Sequence, residues 1–355
     1  MRLPKPYFKI LYNNKNITTD VSENFLSLNY KDKVSGESDE IELVLEDKSG
    51  KWVNEWYPQK GAYLNITIGL NSKILECGVF QVDEIEFTGP PDQISIKGLS
   101  TGIYGKMRTR KGYAHENKTL SEIIHTLAAK NKFTVVGSIE NIRIGRSTQR
   151  RETDLQYINR LSSEYGYNFT VKGTQLVFIK QTELESFGSV LSIDKTDVMP
   201  GYSFKDKTTN IFKGTVVKFY NPNTSKVVKS ERSGDLPGED PSYSKELDTL
   251  ELRGKVENEE QANAKAEAYT HRMNTLQQTG TIPVPGNVVL VAGVNFELTG
   301  FGAFSGIWHV LSSEHAIDTG GYITTAEIKR INVSNNKATK IPKTIPKNSL
   351  TYQTK

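Results

Sequence analysis

At 355 residues the chain has room for two or three domains, and its 36% apolar and 24% charged residues suit ordinary cores and exclude wholesale disorder. Lys and Arg number 45 against 41 Asp and Glu, so the net +4 lacks the imbalance of a protein that lives on bulk nucleic-acid affinity. The single cysteine, Cys77, excludes an intrachain disulfide and speaks against a thiolate metal site.

The opening run MRLPKPYFKI is not a long apolar segment, and no stretch approaches the roughly 18 apolar residues of a membrane span. A soluble chain made in the cytoplasm, without membrane insertion, is expected. The first third then alternates apolar and polar residues. Tyr7–Tyr12 places Phe8, Ile10 and Tyr12 on one face, and Asn13–Asn16 is a turn signal. Phe25–Tyr30, Glu40–Glu46 (Ile41, Leu43 and Leu45 inward), Ala62–Leu70, Gly78–Phe87 and Gln93–Lys97 follow. Short alternating strands at even spacing predict a small barrel or sandwich, with Cys77 as an apolar filler beside a strand.

The period changes in the middle third. Thr119–Glu122 and Thr153–Gln156 each fit a capping box, in which hydroxyl and carboxylate or amide bond each other's exposed backbone amides. Leu120, Ile123, Ile124, Leu127 and Ala128 follow the first at helical spacing; Leu155, Ile158 and Leu161 follow the second, which ends near Gly166. Strands are predicted at Phe133–Val136, Asn168–Val171 and Gln175–Ile179, making an α/β unit.

From Ser189 the chain returns to strands at Leu191–Ile193, Ile211–Tyr220 and Lys226–Ser230, then enters a polar, turn-rich loop over Arg232–Lys245. One helix is predicted over Glu259–Leu276, with Ala262, Ala266, Tyr269, Met273 and Leu276 as its core face and Asn258 as its cap. Beyond Asn332 the chain carries five lysines, two prolines and no acid, the composition of a flexible basic tail dispensable for folding.

The sequence also repeats itself. Gly78, Phe80, Val82 and Glu86 recur at the same offsets as Gly306, Trp308, Val310 and Glu314, each run followed by a turn and an alternating strand. Two related β-barrels with the α/β unit between them are expected. The boundaries are 1–105 for the first barrel, 106–186 for the insertion, 187–331 for the second barrel with the long helix, and 332–355 for the tail.

Several segments resemble one known family. Ser35–Asp47 (SGESDEIELVLED), Gly50–Trp52, Trp56–Gly61 and Cys77–Asp83 are similar to the opening of the phage late control protein D family. Pro283–Asn287 and Gly306–Val310 are similar to its second half. The resemblance implies a baseplate hub of a contractile tail, also similar to the N-terminal part of type VI secretion spike proteins. It implies two tube-type barrels per chain and a homotrimer whose pseudo-sixfold ring joins a sixfold tail tube to a threefold spike. The implied partners are the tail tube, a central spike, the tape-measure protein and baseplate wedge components, in a virion tail assembled in a bacterial host. The long β-helical extension of secretion-type spikes is missing from this sequence, so the spike itself is expected to be a separate chain.

No motif for catalysis converges. The five histidines (His115, His125, His271, His309 and His315) form no metalloprotease-type pair, and no phosphate loop, nucleophile elbow or zinc pattern occurs, so no catalytic residue, metal or cofactor is expected. Asp39/Glu40 and Asp83/Glu84 are read as water-facing carboxylates at strand edges. A peptidoglycan hydrolase and a nucleic-acid-binding β-barrel protein are the rival readings. The candidate contact residues are two basic clusters, Lys106, Arg108, Arg110 and Lys111, and Arg143, Arg146, Arg150 and Arg151. They form either a solvated salt-bridging face or a contact with an acidic neighbour or with DNA passing a channel.

Overall fold

The computed structural model describes residues 5–36, 38–100, 109–209, 211–221, 226–233, 248–252 and 256–331. The first β unit comprises β1 (Pro6–Tyr12), β2 (Lys15–Asn16), a short helix α1 (Thr18–Glu23), β3 (Phe25–Lys33), β4 (Glu40–Glu46), β5 (Tyr63–Leu70), β6 (Lys73–Thr88) and β7 (Gln93–Ser100). Asn13 and Asn14 join β1 to β2 with φ of 46° and 68°, the left-handed pair that a two-residue hairpin turn needs and that Asn tolerates. Alternate residues such as Ile41, Leu43, Leu45, Leu64, Ile66 and Ile68 fill one core. The sheet curls enough for Phe8 on β1 to meet Phe25 on β3, ring centroids 4.6 Å apart.

The α/β insertion contains β8 (Lys111–Thr119), α2 (Leu120–Lys130), β9 (Thr134–Val136), β10 (Arg143–Glu152), α3 (Asp154–Tyr165), β11 (Tyr167–Lys172), β12 (Gln175–Lys180) and the short α4 (Gln181–Glu185). Both capping boxes form, at Thr119/Glu122 and Thr153/Gln156, and α3 ends on Gly166 in the left-handed region at φ 75°. The long antiparallel ribbon β8–β10 was not expected, because β10 buries only Ile144 and Gln149 and hides its period of two. On β8, His115 is 2% exposed, stacked on Tyr157, and neither ring nitrogen has a hydrogen-bond partner among the described residues. Burial, with Lys118 and Lys130 adding, pushes this imidazole's pKa down. Replacing an unsatisfied buried polar group by an apolar one of similar size is neutral or stabilising, so His115→Leu should leave stability unchanged or raise it by about 1 kcal/mol in urea unfolding.

The second half holds β13 (Ser192–Asp194), β14 (Ser203–Asp206), β15 (Gly214–Asn221), β16 (Lys226–Ser233), β17 (Thr249–Leu252), the helix α5 (Glu259–Asn274), β18 (Gln278–Pro285), β19 (Asn295–Thr299), β20 (Gly306–Asp318) and β21 (Gly321–Arg330). The long helix forms where expected, but its neighbours differ. Ala262 and Ala266 pack with Val217 and Val256 over the small sheet β16-β15-β17. Its other flank lies on the insertion: Lys265 pairs with Glu164 at 2.9 Å, and the Gln261 and Asn258 side chains donate to the Arg143 carbonyl. Gln261, Thr270 and Asn274 are therefore buried, whereas Tyr269 and Met273 of the expected core face are half-buried. The second β core draws on Ile193, Ile282, Val284, Phe296, Trp308 and Ile328, and not on this helix.

The two β units are hydrogen-bonded into one 13-stranded sheet. Its path runs β14-β18-β21-β20-β3-β4-β7-β6-β5-β1-β2, with β19 beside β3 on the same edge of β20 and β13 on β19. β20 makes the join. Its first half pairs with β19, and its second half, Ser312–Asp318, pairs antiparallel with Lys33–Ser27 of β3. With that edge of β3 occupied, no β1–β3 seam is hydrogen-bonded among the described residues. The chain is thus mainly β with a few helices, its two β units merged through one strand.

Candidate assembly interface

The sequence repeat is a structural repeat. In the first unit the strand order is β3-β4-β7-β6-β5-β1; in the second it is β14-β18-β21-β20-β19-β13. Registers agree residue by residue: Leu64 opposes Phe80 as Phe296 opposes Trp308, and Val82 opposes Gly98 as Val310 opposes Ile328. Gly61 and Gly293 have φ of 84° and 86°, and each donates its N–H to the carbonyl of Val82 or Val310. A bulge interrupts β6 between Val82 and Glu84 and β20 between Val310 and Ser312, at matching positions. Phe80 and Trp308 are both fully buried. The last strand breaks the match, since β1 is antiparallel to β5 and β13 is parallel to β19.

Three parts of the chain meet at Asp32. One carboxylate oxygen accepts from Lys172 Nζ of the insertion at 3.0 Å, and the other accepts the Ala292 N–H of the second unit at 3.0 Å. Lys172 also bonds Asp39, so the reading of Asp39 as a water-facing carboxylate is corrected: it is 3% exposed, because the β3–β4 loop folds under β11. Burial pushes Asp39 up to about 6 against the pull of Lys172, and the two aspartates hold the Lys172 ammonium charged. Asp83 and Glu84 do face water. A second joint sets Glu185 between His271 at 2.8 Å and Lys329 at 2.5 Å. Burial would raise Glu185, but the His271 hydrogen bond and the Lys329 charge hold it down at about 2.

The histidines serve packing. His309 Nδ1 lies 2.6 Å from Asn295 Oδ1, and His315 lies 2.8 Å from the Tyr322 hydroxyl. Burial drives both imidazoles down to about 4, with the Lys329 charge adding at His309. A folded state that binds protons more weakly than the unfolded chain loses stability as pH falls through the gap, here from about 6.5 to about 4. Asp39 acts oppositely between about 6 and its ordinary value, and the Glu185 contribution is lost only below its ordinary value of about 4.5. The expected result is a stability that declines below pH 6.5 and steepens below about 4.5. Each histidine accounts for on the order of 3 kcal/mol at full protonation. Urea titrations across pH check this, and His315→Gln should flatten the slope between pH 6.5 and 4.

Of the basic residues singled out in the sequence, Lys106 and Arg108 lie outside the described residues. Lys111 is not a free contact: its ammonium is 2.7 Å from Asp154, a buried carboxylate that also accepts from Gln149 and Asn131. Register brings Arg110, Arg150 and Arg151 to one end of the β8–β10 ribbon, where Glu152 opposes Lys111. Arg143 and Arg146 lie toward its other end, and Arg146 is 3.7 Å from Glu116. Arg146 and Arg150 also line a cleft of about 1290 Å3 whose other side carries Lys265 and Arg272 of α5. Among the described residues no group of three or more His, Cys, Asp or Glu side chains could hold a metal ion, and no helix is long and apolar enough to cross a membrane.

Among the strand edges that carry no partner strand in the described residues are the outer edge of β14 and that of β6 beyond its bulge, Glu84–Thr88. Lys205, Glu84, Glu86 and Phe87 lie exposed on these edges, and none was singled out in the sequence as a contact. Their signal was the repeat itself, which sets a paired edge in one unit against an unpaired edge in the other.

Comparison with known proteins adds three findings. The sequence model of a family described as phage tail baseplate hub (GPD) matches residues 107–321. The probable baseplate hub proteins of Escherichia phages 186 and P2 are 32% and 29% identical over 178 residues, 49% of this chain and 45% of each relative. The chain thus spans about half the length of the curated relatives it matches. In fold it is similar to the 43 kDa tail protein of prophage MuSo2 from Shewanella oneidensis, at 13% identity with a TM-score of 0.68 over 92% of this chain and 98% of that one. A tail protein of Neisseria meningitidis MC58 gives 12% identity and a TM-score of 0.68 over 93% and 98%. A component of the Escherichia coli type VI secretion system gives 12% and 0.55 over 87% and 74%.

Proposed function

The chain belongs to the phage tail baseplate hub (GPD) family, and from that premise we propose that it acts as a structural hub of a contractile phage-type tail, by assembly and not by catalysis. The observation that carries this reading is the pair of matching six-strand units in one chain. Three such chains present six similar units, so a ring of three can meet a sixfold tube on one side and a threefold spike on the other.

Residues 1–105 and 187–331 are proposed as the two tube-type barrels, with 106–186 projecting from the ring and carrying the α5 segment on its flank, and 332–355 as a tail. Tail tube and central spike are the axial partners. Baseplate wedge components and the tape-measure protein complete the set, in the virion baseplate. Arg110, Arg143, Arg146, Arg150 and Arg151 are proposed to meet an acidic peripheral neighbour, or DNA in passage.

Light scattering on the eluting full-length protein tests the reading. The result expected is a mass of three chains. A monomer or dimer that persists beside tube and spike proteins would overturn it.

A further inference from the structure

The edge that β20 offers to β3 has an unfilled counterpart on β6, and the strand that fills it, β3, has a counterpart in β14. The repeat registers carry one junction onto the other. Through Val82/Val310, the bulges and the buried Phe80/Trp308 pair, Ser312–Ala316 correspond to Glu84–Thr88. Through Gly98/Ile328 and the pairs Ile41–Gly98 and Gly280–Ile328, Tyr30 corresponds to Phe204. Packing agrees: Tyr30 meets Phe80 edge-on at 5.9 Å, and Phe204 meets Trp308 at 5.5 Å.

We propose that β14 of one copy pairs antiparallel with Glu84–Thr88 of β6 in the next copy, with Phe204 opposite Phe87, Lys205 opposite Glu86 and Lys207 opposite Glu84. This rests on the hub reading and specifies the contact that builds the ring. The occupant is a second copy of this chain, for reasons found within one chain. At the internal junction Lys31 opposes Glu314 with the charges 4.0 Å apart, and Tyr30 stacks on His315 at 5.8 Å. At the transferred junction the same signs recur, lysine from β14 against glutamate from β6, and an aromatic faces an aromatic. Phe87 is 46% exposed in the single chain, and Lys205 and Lys207 are exposed with no carboxylate partner among the described residues. Each junction joins one kind of unit to the other, so the step repeats head to tail and leaves neither of these two edges open once it closes. Glu84 and Glu86, paired meanwhile with Lys97 in their own chain, keep the free edge charged and resistant to stray pairing.

Directly opposed residues on antiparallel strands sit about 4.5–5.5 Å apart at Cα, within disulfide reach. The full-length E86C/K205C double variant, oxidised and run without reductant, should give covalent dimers and trimers. Each single variant should stay monomeric, which also controls for the buried Cys77. The off-register pair T88C/K207C should not link. A protein that is trimeric by mass yet yields no E86C/K205C link overturns the edge pairing and leaves the hub reading intact. Linking of T88C/K207C in place of E86C/K205C overturns the register. A chain that stays monomeric and unlinked overturns both.

Discussion

Lys172→Met is expected to destabilise the protein by about 2–4 kcal/mol, somewhat less than the roughly 3–5 kcal/mol for stranding a fully buried charge, because a third of the lysine side chain keeps contact with water. Its ammonium is the cation shared by Asp32 and Asp39, both under 10% exposed. Without it two carboxylates face each other in the junction of all three parts of the chain, and Asp32 still has to hold the Ala292 N–H. The sign with pH follows. Asp39 already sits high, at about 6, and losing the lysine raises it further. Protonation then relieves the repulsion, so the loss should be largest at neutral pH and should shrink as pH falls through that range. Asp39→Asn added to Lys172→Met should recover part of the stability. Urea unfolding at pH 7.5 and pH 5 reads all of this, and a Lys172→Met loss independent of pH would mean that the lysine contributes packing alone.

Trp308→Ala is expected to cost about 3–5 kcal/mol, and Phe80→Ala about the same. Both side chains are fully buried at matching positions of the two units, so each deletion opens a cavity in a core that cannot collapse around it. The tryptophan also donates its indole N–H to the Phe304 carbonyl at 2.9 Å, which Trp308→Phe would lose while keeping most of the apolar contact. The smaller change should therefore cost roughly 1–2 kcal/mol. Since the two rings sit in separate cores, the double variant should cost the sum of the single ones. Thermal or urea unfolding checks the set. A Trp308→Ala loss below 1 kcal/mol would mean that the second core is not packed as described.

Much of this fold was legible in the residues. Period-two patterns marked the strands of the first unit, the two capping boxes began α2 and α3, and four recurring residues announced the repeat. What stayed hidden has physical reasons. The repeat swaps sizes across facing strands: Ile41 lies beside Gly98 in the first unit, where Gly280 lies beside Ile328 in the second. Volume is conserved in space while sequence identity is lost. The second face of α5 was invisible because Gln261, Thr270 and Asn274 are polar. Each is buried with its bonds made, Asn274 holding both the N–H and the carbonyl of Phe212. Charge counting also misjudged Lys111 and Asp39, whose partners Asp154 and Lys172 lie 43 and 133 residues away in the chain. The edge residues Glu84, Glu86, Phe87 and Lys205 read as ordinary surface until the register of β20 with β3 gave them counterparts.

Electron microscopy of the purified full-length protein, alone and beside its tube and spike proteins, is the most direct measurement of the central claim. Projection averages of a closed ring with threefold symmetry and six similar lobes around a central opening are the expected result. Averages showing single particles with two unlike β lobes and no ring, under conditions in which tube and spike assemble, would contradict it.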